Sequence, residues 1–269
     1  MRHPAILSFL VTAVLGLAAC GGDKSSGTKN AAKPQDRSKA TPKQILDAAA
    51  ADVAKLRSYH LEGTETDKDG VGKLRGDVTG DGRLRFTLDV GKSTINLVVV
   101  ERATYLKANK AFWTGQGNAR GPLATALADR WVKAPSSSAD VLKGLAPKDL
   151  AYCLGIGNGT LRNAGTRTEH GRRAVVVADK GDVPGDAPGE LYVAATGPAL
   201  PLRVTQTGKE RPGGKPDPRC DSSEPGDEAS TTTASDYRLS AFDKPVRITA
   251  PPDALDLDKL QQGRNSTPA

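Results

Sequence analysis

Residues 83–90 read RLRFTLDV. Leu84, Phe86, Leu88 and Val90 fall on one side, and Arg83, Arg85, Thr87 and Asp89 on the other. A period of two marks a strand with one buried face and one wet face. Such a strand cannot stand alone: it needs neighbours along its edges and a cover for its apolar face. Neighbours are at hand. YHLEGTET sets Tyr59, Leu61 and Gly63 on one face, and KLRGDV does the same with Leu74, Gly76 and Val78. STINLVVVE, ATYLKA and AFWT follow. Asp69-Gly70, Gly80-Asp81-Gly82 and Gly91-Lys92 separate the runs as turn signals. The pattern predicts an antiparallel meander of about five strands. In TINLVVV the second half is apolar on both faces, which implies cover on both sides.

Upstream, TPKQILDAAAADVAKLRS carries the start signal of a helix, with Thr41 as N-cap and Pro42 in the first turn. Ile45, Leu46, Ala49, Val53 and Leu56 recur at helical spacing and form a stripe suited to a sheet. After the meander the pattern turns helical. GPLATALADRWVKAP is expected as a helix ending before Pro135, SSSADVLKGLA as a second with Ser138 as N-cap, and APKDLAYCLG as a third. Strands then return. TLRNAGTRTEHG and RRAVVVADK form a hairpin about His170-Gly171, and GELYVAAT and LPLRVTQTG are joined by Gly197-Pro198. Residues 208–230 are a long loop rich in Gly, Pro and charge, TTTASDYRLSAFD is a last strand, and RITAPPDALDL is an extended ending. Helix, strands, short helices, strands is an α+β order: one large twisted antiparallel sheet with helices on one face.

The first residues read differently. MRHPAILSFLVTAVLGLAAC has a basic Arg2, then an uncharged apolar stretch from Ile6 to Leu17. That stretch is short of the roughly 20 residues a spanning helix needs and suits the apolar region of a secretion signal. The ending Leu17-Ala18-Ala19-Cys20 resembles a bacterial lipobox, in which cleavage precedes a cysteine that carries the lipid. Residues 1–19 are thus expected as signal peptide, and 20–41 as the lipidated Cys20 and a flexible tether. Residues 42–258 are expected as a single domain, and 259–269 as a disordered tail. Cleavage would leave roughly 250 residues, enough for one large domain or two small ones. The lipid chains place the protein on the outer face of the cytoplasmic membrane, extracytoplasmic, with the membrane as its first partner.

Composition narrows the chemistry. Aromatic residues make up 4% and hydrophobic residues 37%, so the core must rest on Leu, Val and Ala. The net charge of +7 is scattered, with no nucleic-acid-binding motif, and no nucleic acid partner is expected. After Cys20 only Cys153 and Cys220 remain. Outside the cytoplasm such a leftover pair forms a disulfide as a rule. Two free thiols or a metal site are the alternatives, and without nearby histidines the metal site is a poor one.

No catalytic signature emerges. His60 lies near a strand start and His170 in a turn, neither near a nucleophile elbow. Asp77 to Gly82 imitates the start of a calcium loop, but the twelfth position is Leu88 and the flanks are strands. Gly155-Ile156-Gly157-Asn158-Gly159 lacks dinucleotide-binding spacing and follows a helix. No metal site and no cofactor are expected, and the chain reads as a non-enzyme.

The assembly resembles actinobacterial lipoproteins of the LprG/LppX type, which share a fold with the LolA and LolB lipoprotein carriers. The resemblance rests on the lipobox, the polar tether and the helix-to-strand passage VAKLRSYHLEGTET. Two later stretches, TYLKANKAFW and GELYVAATGPALPLRV, match the family's strand pair and its hairpin. It spans roughly residues 41–257. The 208–230 loop and the cysteine pair depart from it. The resemblance implies a strongly curved antiparallel β-sheet, a half barrel, with helices packed in its concave face. It also implies an apolar cavity between the two that binds a lipid or other hydrophobic small molecule. The lining would come from Leu84, Phe86, Leu88, Ile95, Leu97, Val99 and Val175 or Val177. Leu46, Val53, Leu127, Leu142 and Leu145 would face them from the helices. A carrier or chaperone follows. The same residues also suit a filled core, in which case the chain is a sensory or scaffolding lipoprotein acting through an unspecified protein partner. The lipobox itself makes a direct prediction: Cys20→Ala abolishes partitioning of the expressed protein into the detergent phase, and unchanged partitioning would refute it.

Overall fold

A computed structural model describes residues 36–68, 70–115, 117, 119, 121–134, 144–155, 159–214, 217, 219–220, 232–257 and 259. The expected signal peptide, Cys20, most of the tether, the Ser138 helix with Leu142, and residues 260–269 of the tail lie outside the described residues.

The first helix begins where its start signal stands. α1 spans Pro42–Val53, and Thr41 caps it in extended backbone. The Thr41 hydroxyl accepts from Gln44 N, and Gln44 Oε1 accepts from Thr41 N at 2.9 Å, so two otherwise unpaired donors are satisfied. Ile45, Leu46, Ala49 and Val53 are buried, as the stripe requires.

Five strands follow as a meander of antiparallel hairpins: β1 Ser58–Asp67, β2 Gly70–Thr79, β3 Leu84–Val90, β4 Ser93–Val100 and β5 Ala103–Ala108. The pattern in 83–90 holds: Leu84, Phe86 and Leu88 are buried, while Arg83, Arg85, Thr87 and Asp89 are not. The double-sided cover expected for β4 is present. Ile95, Leu97 and Val99 join the main core. Val98 and Val100 pack on the opposite face under Ile248 of the extended C-terminal segment.

Two expectations give way between residues 109 and 134. AFWT is not a strand. Asn109 Oδ1 accepts from Phe112 N at 3.1 Å and caps α2, Lys110–Thr114, so local capping outweighs the aromatic preference for strands. The helix expected to reach Pro135 stops early: α3 is Pro122–Leu127, and Asp129 adopts φ 57, which ends the helical path. The next residues then pair with β5 as β6, Trp131–Lys133. α4, Pro147–Gly155, forms as expected.

The second half gives β7 Leu161–Glu169, β8 Arg172–Asp179, β9 Gly189–Ala194, β10 Pro201–Gln206 and β11 Ala234–Ser240. His170 (φ 47) and Gly171 (φ 74) make the tight turn between β7 and β8. Leu255–Asp256, expected only as extended chain, forms β12, parallel to β6. The sheet order is β12-β6-β5-β4-β3-β2-β1-β11-β10-β9-β8-β7. The last long strand thus returns to the first. β11 pairs with β1 over seven residues, from His60 opposite Ser240 to Thr66 opposite Ala234. At the far edge β7 bulges between Asn163 and Thr166, where Gly165 has φ 84. Asn163 Nδ2 donates to Ser38 O and Ala40 O.

The result is a curved, open, mostly antiparallel sheet with four helices among the described residues, an α+β half barrel. Two glycines serve the curvature. A Cβ at Gly63 would come within 2.6 Å of the Tyr237 ring, and one at Gly76 within 2.5 Å of the Phe86 ring. Each ring lies across the bare backbone of the neighbouring strand, and neither approach tolerates a side chain.

Cys153 of α4 and Cys220 form a disulfide across a sequence separation of 67, both buried. Closing a loop of that length restricts the unfolded chain by about 4 kcal/mol on the chain-entropy estimate. Replacing both cysteines by serine is expected to cost roughly 2–4 kcal/mol in denaturant unfolding. Mass analysis of the unreduced protein should find two hydrogens fewer than in the dithiol form; a mass equal to the dithiol would contradict the bridge.

Candidate functional site

The concave face is built from strand alternation carried across the register. Leu84 lies opposite Val99, Phe86 opposite Leu97 and Leu88 opposite Ile95. β2 extends the same surface with Leu74 beside Leu88 and Val78 beside Leu84, and β1 with Tyr59 and Leu61. Beyond the β1–β11 seam it continues through Leu239 and Tyr237, and through Val193, Val175 and Val177. The face is one apolar cluster, not a set of patches.

The helices meet it as two separate pairs. α1 packs chiefly on α4, and α2 on α3 and β4. From them come Ile45, Ala49 and Val53, then Ala151 and Leu154, then Trp113, Ala124 and Leu127. Tyr59 ties the sheet to the start of the α4 arm: its hydroxyl donates to Leu145 O at 2.5 Å, and complete burial raises its phenol pKa.

The expected lining residues therefore come together. Leu84, Phe86, Leu88, Ile95, Leu97, Val175 and Val177 belong to the same cluster as Val53, Leu127 and Leu145, with exposures from 0 to 8%. Val99 is partly buried against it. Leu46 is buried but outside that cluster, and Leu142 lies outside the described residues.

A polar margin bounds the apolar face at one end, and the sequence reading missed it. Glu65 of β1 lies opposite Ser235 of β11, which lies opposite Gln206 of β10. Tyr237 Oη donates to Glu65 Oε2 at 2.8 Å, and the Thr232 hydroxyl donates to Glu65 Oε1. Burial, and then the adjacent carboxylate, raise the Tyr237 phenol well above its usual range. Gln206 Nε2 donates to the carbonyls of Gly208 and Thr232, which fixes the amide and leaves Oε1 as a buried acceptor without a partner. Ser235 Oγ and Trp113 Nε1 are buried and unpartnered too. The signal for Glu65 was present: it is the next step in the alternation Tyr59, Leu61, Gly63.

The convex face carries a groove of about 250 Å³ lined by His60, Arg75, Arg85, Thr87, Asn96 and Trp131, among others. Its charges are spent on one another. Arg85 Nη2 lies 2.6 Å from Asp77 Oδ2, His60 Nδ1 2.8 Å from Asp77 Oδ1, and Arg75 Nη1 3.2 Å from Asp89 Oδ2. Partial burial would raise the Asp77 pKa, but its bonds to His60 and Arg85 outweigh this and hold it low. Among the described residues no group of three or more His, Cys, Asp or Glu is arranged to hold a metal ion. No helix among them is long and apolar enough to cross a membrane. The concave face offers burial of apolar surface, with hydrogen-bonding groups at one margin.

No family model matches the chain, and no curated protein does. Solved structures do. LprF from Mycobacterium bovis is 17% identical, with a TM-score of 0.49 over 78% of this chain and 96% of that one. The lipoprotein LppX from Mycobacterium tuberculosis is 12% identical, with a TM-score of 0.47 over 77% and 98%. A LolA superfamily protein from Nitrosomonas europaea is 11% identical, with a TM-score of 0.25 over 79% and 96%. In fold the chain is similar to LprF of Mycobacterium bovis and to the lipoprotein LppX of Mycobacterium tuberculosis.

Proposed function

We propose that the chain is a membrane-anchored, extracytoplasmic carrier or chaperone that holds a lipid or other hydrophobic ligand against its concave face. It performs no chemistry on that ligand. The observation that carries this reading is the mismatch between the apolar face and its cover. Twelve strands at roughly 4.8 Å spacing make a sheet on the order of 50 Å across. Among the described residues the helices over it have 12, 5, 6 and 9 residues and pack as two pairs. A cover made of short, separate pieces can part without unfolding the sheet. Non-directional burial then suits acyl chains of varied length. Leu84, Phe86, Leu88, Ile95, Leu97, Val99, Val53, Leu127, Leu142 and Leu145 would contact the ligand. In this reading Cys20 bears the lipid anchor, and the tether, with a reach of roughly 25 Å as a flexible coil, lets the domain meet the membrane surface.

One observation favours the scaffold reading instead: the described lining residues are almost fully buried by one another, as in a filled core. Two measurements separate the readings. Full-length protein purified in mild detergent and examined by native mass spectrometry, then extracted with organic solvent, should release a stoichiometric hydrophobic compound. A clean apo mass with no uptake of added lipid would move the assignment to the scaffold. Leu97→Trp should lower the ligand load while leaving the melting temperature of the apo protein unchanged. A filled core would instead lose about 1–3 kcal/mol to overpacking.

A further inference from the structure

Away from the concave face, three carboxylates crowd one point of backbone. Asp179 ends β8, and Asp182 and Asp186 lie in the loop to β9. Around the position a Cβ would take at Gly159 (φ 84), Asp186 Oδ2 lies at 3.0 Å, and Asp179 Oδ1 and Asp182 Oδ1 both at 3.3 Å. Only glycine fits there.

The three acids are not alike. Asp182 Oδ1 accepts from Thr160 N at 2.9 Å, and Lys180 Nζ lies 3.7 Å from its Oδ2; bonds to Thr160 keep Asp182 ionised to lower pH than usual. Asp179 Oδ1 accepts from Gly181 N at 2.9 Å. Asp186 is 6% exposed. Its Oδ1 accepts from Ala187 N, while its Oδ2 is buried without a hydrogen-bond partner. A dry carboxylate oxygen aimed at another carboxylate is tenable only with a proton on one of them. Burial first, and then the charge of Asp179, push Asp186 up to about 7, and burial raises Asp179 as well.

The pair sits where three pieces of chain cross. Gly159 and Thr160 belong to the exit of α4 toward β7. Asp186 is bound through its backbone to the segment after β10, with Gly185 N donating to Arg211 O at 2.8 Å and Arg211 N to Asp186 O at 2.7 Å. A Cβ at Gly181 would meet Ala187 and Pro188 at 2.3–2.6 Å, and one at Gly214 would meet Gly185 at 2.2–2.6 Å, so the loop packs closely on itself at its base and on the segment after β10 at its tip. Among the described residues, the charged groups with contacts beside the pair are Asp182 and Lys180 from the loop itself; Thr160 and Arg211 meet the loop through their backbone.

We propose that Asp179 and Asp186 form a proton-operated latch, which holds Gly159 and Thr160, ahead of β7, against the two loops while the pair holds a proton and loosens when the proton is lost. Ionisation leaves two adjoining negative charges beside a third, that of Asp182. Asp186 must then turn toward water and release the backbone bonds to Arg211. The linkage has a definite sign. The closed form binds a proton that the open form, with an ordinary carboxylate, does not hold above about pH 4. Closure is therefore fully supported below that pH and is lost progressively up to about pH 7, with no further change above. Any consequence for a ligand rests on the carrier reading, since α4 is part of the cover; the latch does not.

Hydrogen exchange on the full-length protein in mild detergent tests the latch without any ligand. Opening at Thr160, Gly185 and Arg211 should rise by roughly tenfold per pH unit between pH 5 and 7, beyond the intrinsic exchange rate. Asp186→Asn supplies an N–H donor to Asp179 and should remove that extra rise. It should melt several degrees above the parent at pH 7.5 and together with it near pH 4. Asp179→Asn should behave alike, so a folding failure of one variant leaves the other to decide. Two variants less stable than the parent at pH 7.5, or a parent without the extra pH dependence, would overturn the latch. So would protection of the parent by added calcium ions at pH 7.5 that both variants lack, which would give the carboxylates to a metal ion instead.

Discussion

The pairing of β1 with β11 is the contact on which the sheet depends. On one side of it β1 to β5 form a local meander, in which each strand finds its partner across a short turn, and β6 and β12 extend its edge. On the other side β7 to β11 are antiparallel in chain order, with a long excursion between β10 and β11. Neither β1 nor β11 has a sequence neighbour to close its remaining edge, and some 170–180 residues separate the partners. The seven-residue ladder between them makes two small sheets into one. It also puts Tyr237 over the bare backbone of Gly63 and Leu239 beside Leu61, so the apolar face crosses the seam without a break. Contacts at such separation form late and carry a large loop-closure cost. The buried surface gathered on the concave side is what offsets that cost.

Much of this was legible in the residues, and the reasons are physical. The strands of the meander announce themselves because one face is wet and one dry, so the chain alternates; Gly-containing turns then fix the order. The capping box of α1 is a local arrangement that needs no tertiary partner. What was not legible depended on partners remote in sequence. β6 and β12 have three and two residues, too short to show a period, and exist because each completes the other's pairing. Trp131 reads as the continuation of a helix until Asp129 turns the chain. α2 is a half-legible case, since Asn109 is an N-cap signal that the aromatic pair Phe112-Trp113 masks.

The candidate site divides in the same way. Its apolar residues could be named in advance, because alternation and helical spacing identify inward faces. Its polar margin could not be foreseen as a margin. Glu65 continues the inward alternation, but only the return of β11 brings Ser235, Tyr237 and Thr232 to it, and only β10 adds Gln206. The acids around Gly159 stand close together at the end of β8 and in the loop to β9, but nothing local shows that Gly159, ahead of β7, is brought against them. Patterns of period two and 3.6 report faces; they do not report which faces meet.

An open sheet has two edges, each a row of backbone groups without a strand partner. An unguarded edge would invite strand-to-strand polymerisation. At one end β12 offers only two residues. At the other, β7 is interrupted by its bulge at Gly165, and Asn163 turns its amide to the backbone of Ser38 and Ala40. The irregularity of β7 thus acts against self-assembly: it hinders the continuation of this sheet by a strand from another copy.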